Sequence, residues 1–375
     1  MEWRVPLADV KLGVEEENAV LEVLRSGWLT MGAVTQAFEQ EFSVFVGAKH
    51  AFAVNNATAA LHLACLAVGL GEGDEVIAPS LTFVATANAV RYTGAKVVFA
   101  DIESEDWLCV SPQAIEGKIT ERTKAIVVVH YAGFACDMPA ILRIAEKYNL
   151  AVIEDAVHAI GASLDGKALG TWGDVGCYSF FGNKNMTTAE GGMLVTDDDQ
   201  LAEKVRILRS HGMTTLTWDR HQGHASTYDV VALGYNYRID EIRSAIGREQ
   251  LKKLPVGNAR RAILVSRYRQ AFKEQAPALG LPFSGRRGLS SHHIFPVLLP
   301  EGVDREAFRE AMKQDGIQTS FHYPPVHQFQ IYRQEGEELR MTENVAQRQV
   351  TLPLFPSMTD EQQGWVIEST VKALM

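Results

Sequence analysis

Cysteine, positive charge and long apolar runs are all in short supply in this sequence, and each shortage excludes something. The four cysteines, Cys65, Cys109, Cys136 and Cys177, are scattered without CxxC spacing. That pattern fits neither a disulfide framework nor a zinc site, and reads as reduced intracellular thiols. Lysine and arginine total 36 against 46 acidic residues, a net charge of −10. A nucleic-acid binder needs a basic face, so that class is excluded, although a local basic pocket for a phosphorylated small molecule is not. No apolar run is long enough to span a bilayer. The opening MEWRVPLADV lacks the basic-then-apolar order of a secretory signal. Repeats and low-complexity tracts are also missing. The expectation is a cytoplasmic protein that engages neither nucleic acid nor membrane.

What is present suits an enzyme. The chain has 375 residues, 46% of them hydrophobic and 22% charged, enough for two domains with their own cores. Between about residues 51 and 196, short Val/Ile/Ala-rich runs alternate with helical patterns. AFAVN, DEVIAP, KVVFA, KAIVVVH, LAVIED, VGCYSF and GMLVT read as strands. In TAALHLACLAVGL, Leu61, Ala64, Cys65 and Val68 mark one helix face; MPAILRIAEKYN repeats the pattern, with Pro139 near its start and Asn149 at its end. Such alternation predicts an α/β fold with a mostly parallel sheet. Residues 213–229 lack periodicity and read as a long loop, a kind that is usually functional or mobile. One helix is expected from about Ile239 to Lys253, stopping near Pro255, and another over about 258–275. Beyond lie a strand-like HHIFPVLL, a helix near 304–314, and a last helix after Thr359 and Gln362, which have capping-box spacing. The expected division is a large cofactor-binding domain with an N-terminal segment over residues 1–250 and a small α+β domain over 251–375.

Two motifs are decoys. Gly69, Gly71 and Gly73 form a GxGxG run, but it follows a helix and precedes a strand, the reverse of a dinucleotide fingerprint. His221 and His224 in HQGH have no strong acidic or cysteine partner nearby in sequence, so a polar loop is preferred and no metal site is expected. Three other stretches carry more. In VIEDAVHAIGAS a strand ends in Glu154–Asp155; an acidic helix cap is the plain reading, yet a carboxylate at the carboxyl end of such a strand faces the ligand crevice. Lys184 lies twenty-nine residues beyond Asp155, in the turn GNKN between two apolar runs. A lysine in a crevice can be neutral enough to form a Schiff base. An aspartate nearby can keep a pyridine nitrogen protonated and make pyridoxal phosphate an electron sink. The third stretch, NNATAAL, places small residues and a helix N-terminus after a strand, where backbone amides and the helix dipole suit a phosphate.

With these parts assembled, the chain resembles the DegT/DnrJ/StrS family of nucleotide-sugar aminotransferases, within the fold-type I pyridoxal-phosphate enzymes. The resemblance covers nearly the whole chain, through SGWLTMG (26–32), NATAALHLA, GDEVIAPSLTFVATANAV (73–90), VIEDAVHAIGA, YSFFGNKNMTTAEGGMLVT, LGYNYRIDEI (233–242) and TSFHYPPVH (319–327). It implies that Lys184 forms the Schiff base and shuttles a proton, that Asp155 pairs with the pyridine nitrogen, that Phe83 stacks on the ring and that His158 approaches its phenolic oxygen. Thr58, the backbone at Ala59, and Ser179 would hold the phosphate. Asn236 would reach the phosphate of the neighbouring subunit, making a homodimer with shared sites. Three departures stand out: Ala57 where the family commonly has glycine, Val157 for a usual Ala or Cys, and GNKN for an HPTK-like turn. Related sugar 3-dehydratases carry histidine where this chain has Lys184, which favours transamination. The implied reaction passes an amino group from L-glutamate, through the pyridoxamine 5'-phosphate form, to a dTDP- or UDP-linked 4-keto-6-deoxyhexose in deoxyaminosugar biosynthesis. A 3-keto-sugar aminotransferase, a sugar dehydratase and a non-catalytic sensor are the alternatives. Arg220, Arg238, His322, Tyr323 and His327 are the candidate substrate contacts.

Overall fold

The computed structural model describes residues 3–215, 227–285, 288–333 and 338–375. Among them, seven strands form one sheet: β1 (His50–Val54), β2 (Glu75–Pro79), β3 (Lys96–Ala100), β4 (Thr123–Val129), β5 (Ala151–Asp155), β8 (Val175–Ser179) and β9 (Gly192–Thr196). The hairpin strands β6 (Ser163–Leu164) and β7 (Lys167–Ala168) pair outside it. The order across the sheet is β1-β9-β8-β5-β4-β2-β3. All neighbours are parallel except the two pairings of β9, with β8 and β1. The parallel strands read as unbroken apolar runs because both faces are covered. On β4, Ile126 and Val128 enter one core cluster while Ala125 and Val127 enter the other, the period-two alternation of a strand.

The helices begin and end where their chemistry dictates. Asn56 caps Ala57–Ala67, its Oδ1 accepting from the Ala59 amide at 2.8 Å. Met138–Tyr148 has proline in its first turn and ends on Asn149 in the left-handed region. Asp360–Ala373 starts with the Thr359–Gln362 capping box. The N-terminal motif SGWLTMG is fastened from far away in sequence. The buried Glu241 carboxylate accepts from the amides of Gly32, Val34 and Thr35 at 2.8–2.9 Å, serving the otherwise unpaired start of the helix Ala33–Val46.

The structure corrects one expectation about helices. Glu241–Gln275 is a single helix of 35 residues with Pro255 inside it, so it also runs across the boundary expected at residue 250. An interior proline costs about 3 kcal/mol. Leu251 and Leu254 before it and Leu264 and Val265 after it are all buried, and packing on both sides offsets that cost. Beyond this helix, β10 (Phe295–Leu298) and β11 (Gln349–Leu352) pair antiparallel. They sit in a third core cluster with Tyr268, Phe272 and Met312. Among the described residues, no helix is long and apolar enough to cross a membrane.

Candidate active site

The carboxyl ends of β1, β4, β5 and β8 open into a cavity of about 790 Å³, the position where open α/β sheets bind ligands. At the end of β5, alternation sends the paired carboxylates to opposite faces. Glu154 is fully buried and structural, accepting from His130 Nε2 and the amides of Gly170 and Gly173 at 2.6–2.7 Å. Asp155 lines the cavity. Its Oδ2 accepts from Thr86 Oγ1 at 2.7 Å and its Oδ1 from the Val157 amide at 3.3 Å. Burial pushes the Asp155 carboxyl up, and those two donors and the Lys184 charge pull it back.

Lys184 shares the cavity with Asp155. The side chain is half-buried at the cavity wall. Desolvation lowers its pKa to about 8 against the pull of Asp155. No direct ion pair joins the two. The amine instead lies 3.4 Å from Nε2 of His293.

The third part is the turn into the helix Ala57–Ala67. Asn56 already occupies the Ala59 amide, so the donors this turn presents to the cavity are those of Ala57 and Thr58, both of which line it. Gly192 on β9 permits the turn to approach, since a Cβ there would lie 2.7 Å from the Asn56 carbonyl carbon. Ser179 closes this end of the cavity, with its Oγ accepting from the Phe181 amide at 3.3 Å.

The walls are aromatic and imidazole. Phe83 is 56% exposed, with its ring centroid 5.9 Å from that of Tyr323. His158 Nδ1 faces the Ala132 amide at 3.3 Å and so accepts, which leaves Nε2 to donate to the Tyr323 hydroxyl at 3.0 Å. Gly133 brings this loop close, because a Cβ there would fall 2.8 Å from the His158 carbonyl oxygen. Burial, reinforced by the Lys184 charge, holds His158 well below its ordinary pKa and His322 down to about 4. Burial also raises Tyr323. The imidazoles facing the cavity are therefore neutral near pH 7.

The structure thus brings Lys184, Asp155, His158, Thr58, Ala59, Phe83, Ser179, His322 and Tyr323 to one cavity. Others fall elsewhere. His327 is buried between Ser80 Oγ (2.7 Å) and Glu343 (2.9 Å), pinning the 326–328 turn to the end of β2. It does not line the cavity, because VHQ packs inward after the two prolines. Arg238 donates to Ser210 Oγ at 3.0 Å and likewise lies outside the lining. Asn236 is exposed, bridged to Ser210, and outside its own chain's cavity. Arg220, His221 and His224 lie outside the described residues. Sequence reasoning missed Arg243, which reaches the cavity wall while held by Asp240 at 2.7 Å, and it missed His293 and Asn185 behind Lys184.

A seven-stranded, largely parallel sheet with a desolvated lysine and a buried aspartate at its carboxyl edge defines a fold-type I aminotransferase. The chain belongs to the DegT/DnrJ/EryC1/StrS aminotransferase family, whose sequence profile matches residues 10–371; it is an enzyme of the pyridoxal-phosphate-dependent sugar aminotransferase class. It is 43% identical over 367 residues to the spore coat polysaccharide biosynthesis protein SpsC of Bacillus subtilis, covering 96% of this chain and 94% of that one. Helicobacter pylori PseC, an aminotransferase involved in the biosynthesis of pseudoaminic acid, superposes with a TM-score of 0.92 at 32% identity, over 100% of this chain and 99% of that one. DesI, solved in the presence of its TDP-sugar product, does so with a TM-score of 0.89 at 30% identity, over 100% and 93%.

Proposed function

We propose that this enzyme transfers an amino group from L-glutamate to a nucleotide-linked keto-deoxysugar, a dTDP- or UDP-4-keto-6-deoxyhexose, working as a homodimer with pyridoxal phosphate at Lys184. The observation that carries the reading is that Lys184 and Asp155 line one cavity without touching, with a helix N-terminus beside them. A buried ionisable pair left unjoined is costly unless a third group completes it. A pyridine ring carrying an aldehyde and a phosphate matches the donor set in kind: amine, carboxylate, and backbone amides with a hydroxyl. The orphaned Oδ1 of Asn55, buried on the cavity lining without a partner, is a further polar atom for a bound group to satisfy.

Bound, the cofactor supplies an electron sink for the carbon whose nitrogen is transferred. The remaining work falls to the chain's own residues. Asp155, ordered by Thr86 and Val157, would hold a proton on the pyridine nitrogen. Lys184 Nζ, its pKa lowered to about 8 by burial, would both accept and return a proton. The Ala57 and Thr58 amides and Ser179 would hold the phosphate. Phe83 would lie against the ring, and the neutral His158–Tyr323 pair would offer one O–H to the cavity. Support for a nucleotide-sugar substrate comes from DesI's TDP-sugar. The test is a panel of keto-sugar nucleotides incubated with glutamate and the holoenzyme. Mass spectrometry should find an aminosugar nucleotide and 2-oxoglutarate in equal amounts. Failure to form an aminosugar from any 3- or 4-keto sugar would overturn the assignment.

A further inference from the structure

Behind Lys184 runs a chain of hydrogen bonds whose directions can be worked out atom by atom. Asn258 Nδ2 donates to the Ile160 carbonyl at 2.9 Å, which turns its Oδ1 towards Asn185. Asn185 Nδ2 donates to that Oδ1 and to the Ser291 carbonyl, both at 2.8 Å. Both amide hydrogens of Asn185 are thereby used, and its Oδ1 must accept. It faces His293 Nδ1 at 2.9 Å, so the imidazole proton sits on Nδ1 and Nε2 carries a lone pair. Lys184 Nζ is 3.4 Å from that lone pair. The main chain of His293 is fixed on both sides, its amide donating to the Ala132 carbonyl at 3.0 Å and its carbonyl accepting from Arg261 at 3.1 Å. The His158 ring also packs 4.4 Å from it, centroid to centroid.

We propose that His293 is a positioning residue for Lys184: its Nε2, kept unprotonated by Asn185, accepts a hydrogen bond from the lysine amine and turns the rest of that nitrogen towards the cavity. The pairing itself does not depend on the cofactor, but its consequence for catalysis rests on the reading of Lys184 given above. The groups that bear electrostatically on the amine are Asp155, His158, His293 and His322; those that bear on His293 are Lys184, His158, His322 and Arg261. Burial and its cationic neighbours keep His293 well below its ordinary pKa. It therefore stays neutral while Lys184 titrates and acts as an acceptor rather than as a charge. A neutral acceptor favours the ammonium form, so it moderates the fall in the lysine pKa that burial causes. When the amine is free, the same contact fixes where its lone pair points after deprotonation.

The experiment uses cofactor-free protein, with Lys184 acylated by trace acetic anhydride between pH 6 and 10 and the peptide quantified by mass spectrometry. His293→Leu should lower the Lys184 midpoint by about one unit. His293→Gln, whose Oε1 reaches the volume of Nε2, should bring it back to within about half a unit of wild type. Asn185→Leu keeps the imidazole but frees its proton to move to Nε2, and should shift the midpoint in the same direction as His293→Leu. An unchanged midpoint in His293→Leu, or equal shifts in the Leu and Gln variants, would overturn the proposal. If circular dichroism shows His293→Leu unfolded, Asn185→Leu decides, and no shift there refutes the assigned tautomer. Since no cofactor is present, the result stands even if Lys184 proves not to bind one; that failure would appear separately, as absence of a borohydride-fixed label.

Discussion

Replacing Lys184 by methionine should stabilise the cofactor-free protein while abolishing its activity. The reasoning starts from the amine's surroundings, which depress its pKa from 10.5 to about 8. At 1.36 kcal/mol per unit this amounts to about 3 kcal/mol of penalty for carrying the charge in the folded state. Water reaching the half-buried side chain through the cavity mouth screens part of it, leaving roughly 1–2 kcal/mol. Folded protein binds this proton more weakly than unfolded chain does, so unfolding takes one up between pH 8 and 10.5. Wild-type stability therefore gains from this group as pH rises across that window, and bears the full penalty below pH 8. Methionine fills similar space without the charge. Thermal melts of cofactor-free Lys184→Met, at fixed protein concentration, should run roughly 1–3 °C above wild type at pH 7, and the gap should close towards pH 10. If the variant melts at or below the wild-type temperature at pH 7, the amine is not destabilised by burial. A gap that persists undiminished at pH 10 would mean that packing, not charge, is responsible.

Borohydride treatment of the yellow holoenzyme should fix the cofactor to the peptide containing Lys184; a label on another lysine would end that assignment. The rate at which cofactor-free protein takes up pyridoxal phosphate should climb as pH approaches 8 from below and level off above, following the neutral amine; a flat profile would contradict the depressed pKa. Asp155→Asn should fold normally and lose turnover by roughly ten- to a hundredfold, the worth of a hydrogen bond to a charged group, and near-normal kcat would refute its role. Asn236→Ala should weaken cofactor retention by a similar factor. A heterodimer of that variant with Lys184→Ala should recover wild-type affinity in its single working site if sites are shared, and should not if Asn236 serves its own chain.

How legible all this was depends on how local each signal is. The sheet could be read directly, because strands covered on both faces must be apolar throughout and VIED or GMLVT needs no distant partner to betray itself. The Asn149 and Thr359 helix ends were equally readable, since caps act within four residues. The helix through Pro255 was not, because a local rule about proline was outweighed by tertiary contacts on both sides of it. His327 looked like a residue of the cavity mouth, yet its partner Ser80 lies 247 positions away and draws it into the core. His293 hid inside the apolar run HHIFPVLL, 109 positions from the lysine it faces. Nothing in that run distinguishes it from a satisfied core histidine until Asn185 and Asn258 are seen to fix its proton.

The charge distribution of the cavity sets what an acidic protein can offer the anionic substrate proposed above. Around Lys184 the imidazoles are neutral, and Lys184 itself titrates near pH 8, so neither provides a permanent cation that would trap a product phosphate. Fixed positive potential comes instead from the helix N-terminus at Ala57, whose partial charge cannot titrate. Arg243 adds little, being paired already with Asp240. A diphosphate-linked sugar carries more negative charge than these can meet. Asn236 is exposed and Arg238 half-buried, neither lining its own chain's cavity, and the apolar side chains of Val231 and Leu233 stand exposed on the same stretch. In the homodimer proposed above, a second copy covering this stretch would bury that apolar surface and bring donors towards the anion, and substrate affinity would then depend on assembly.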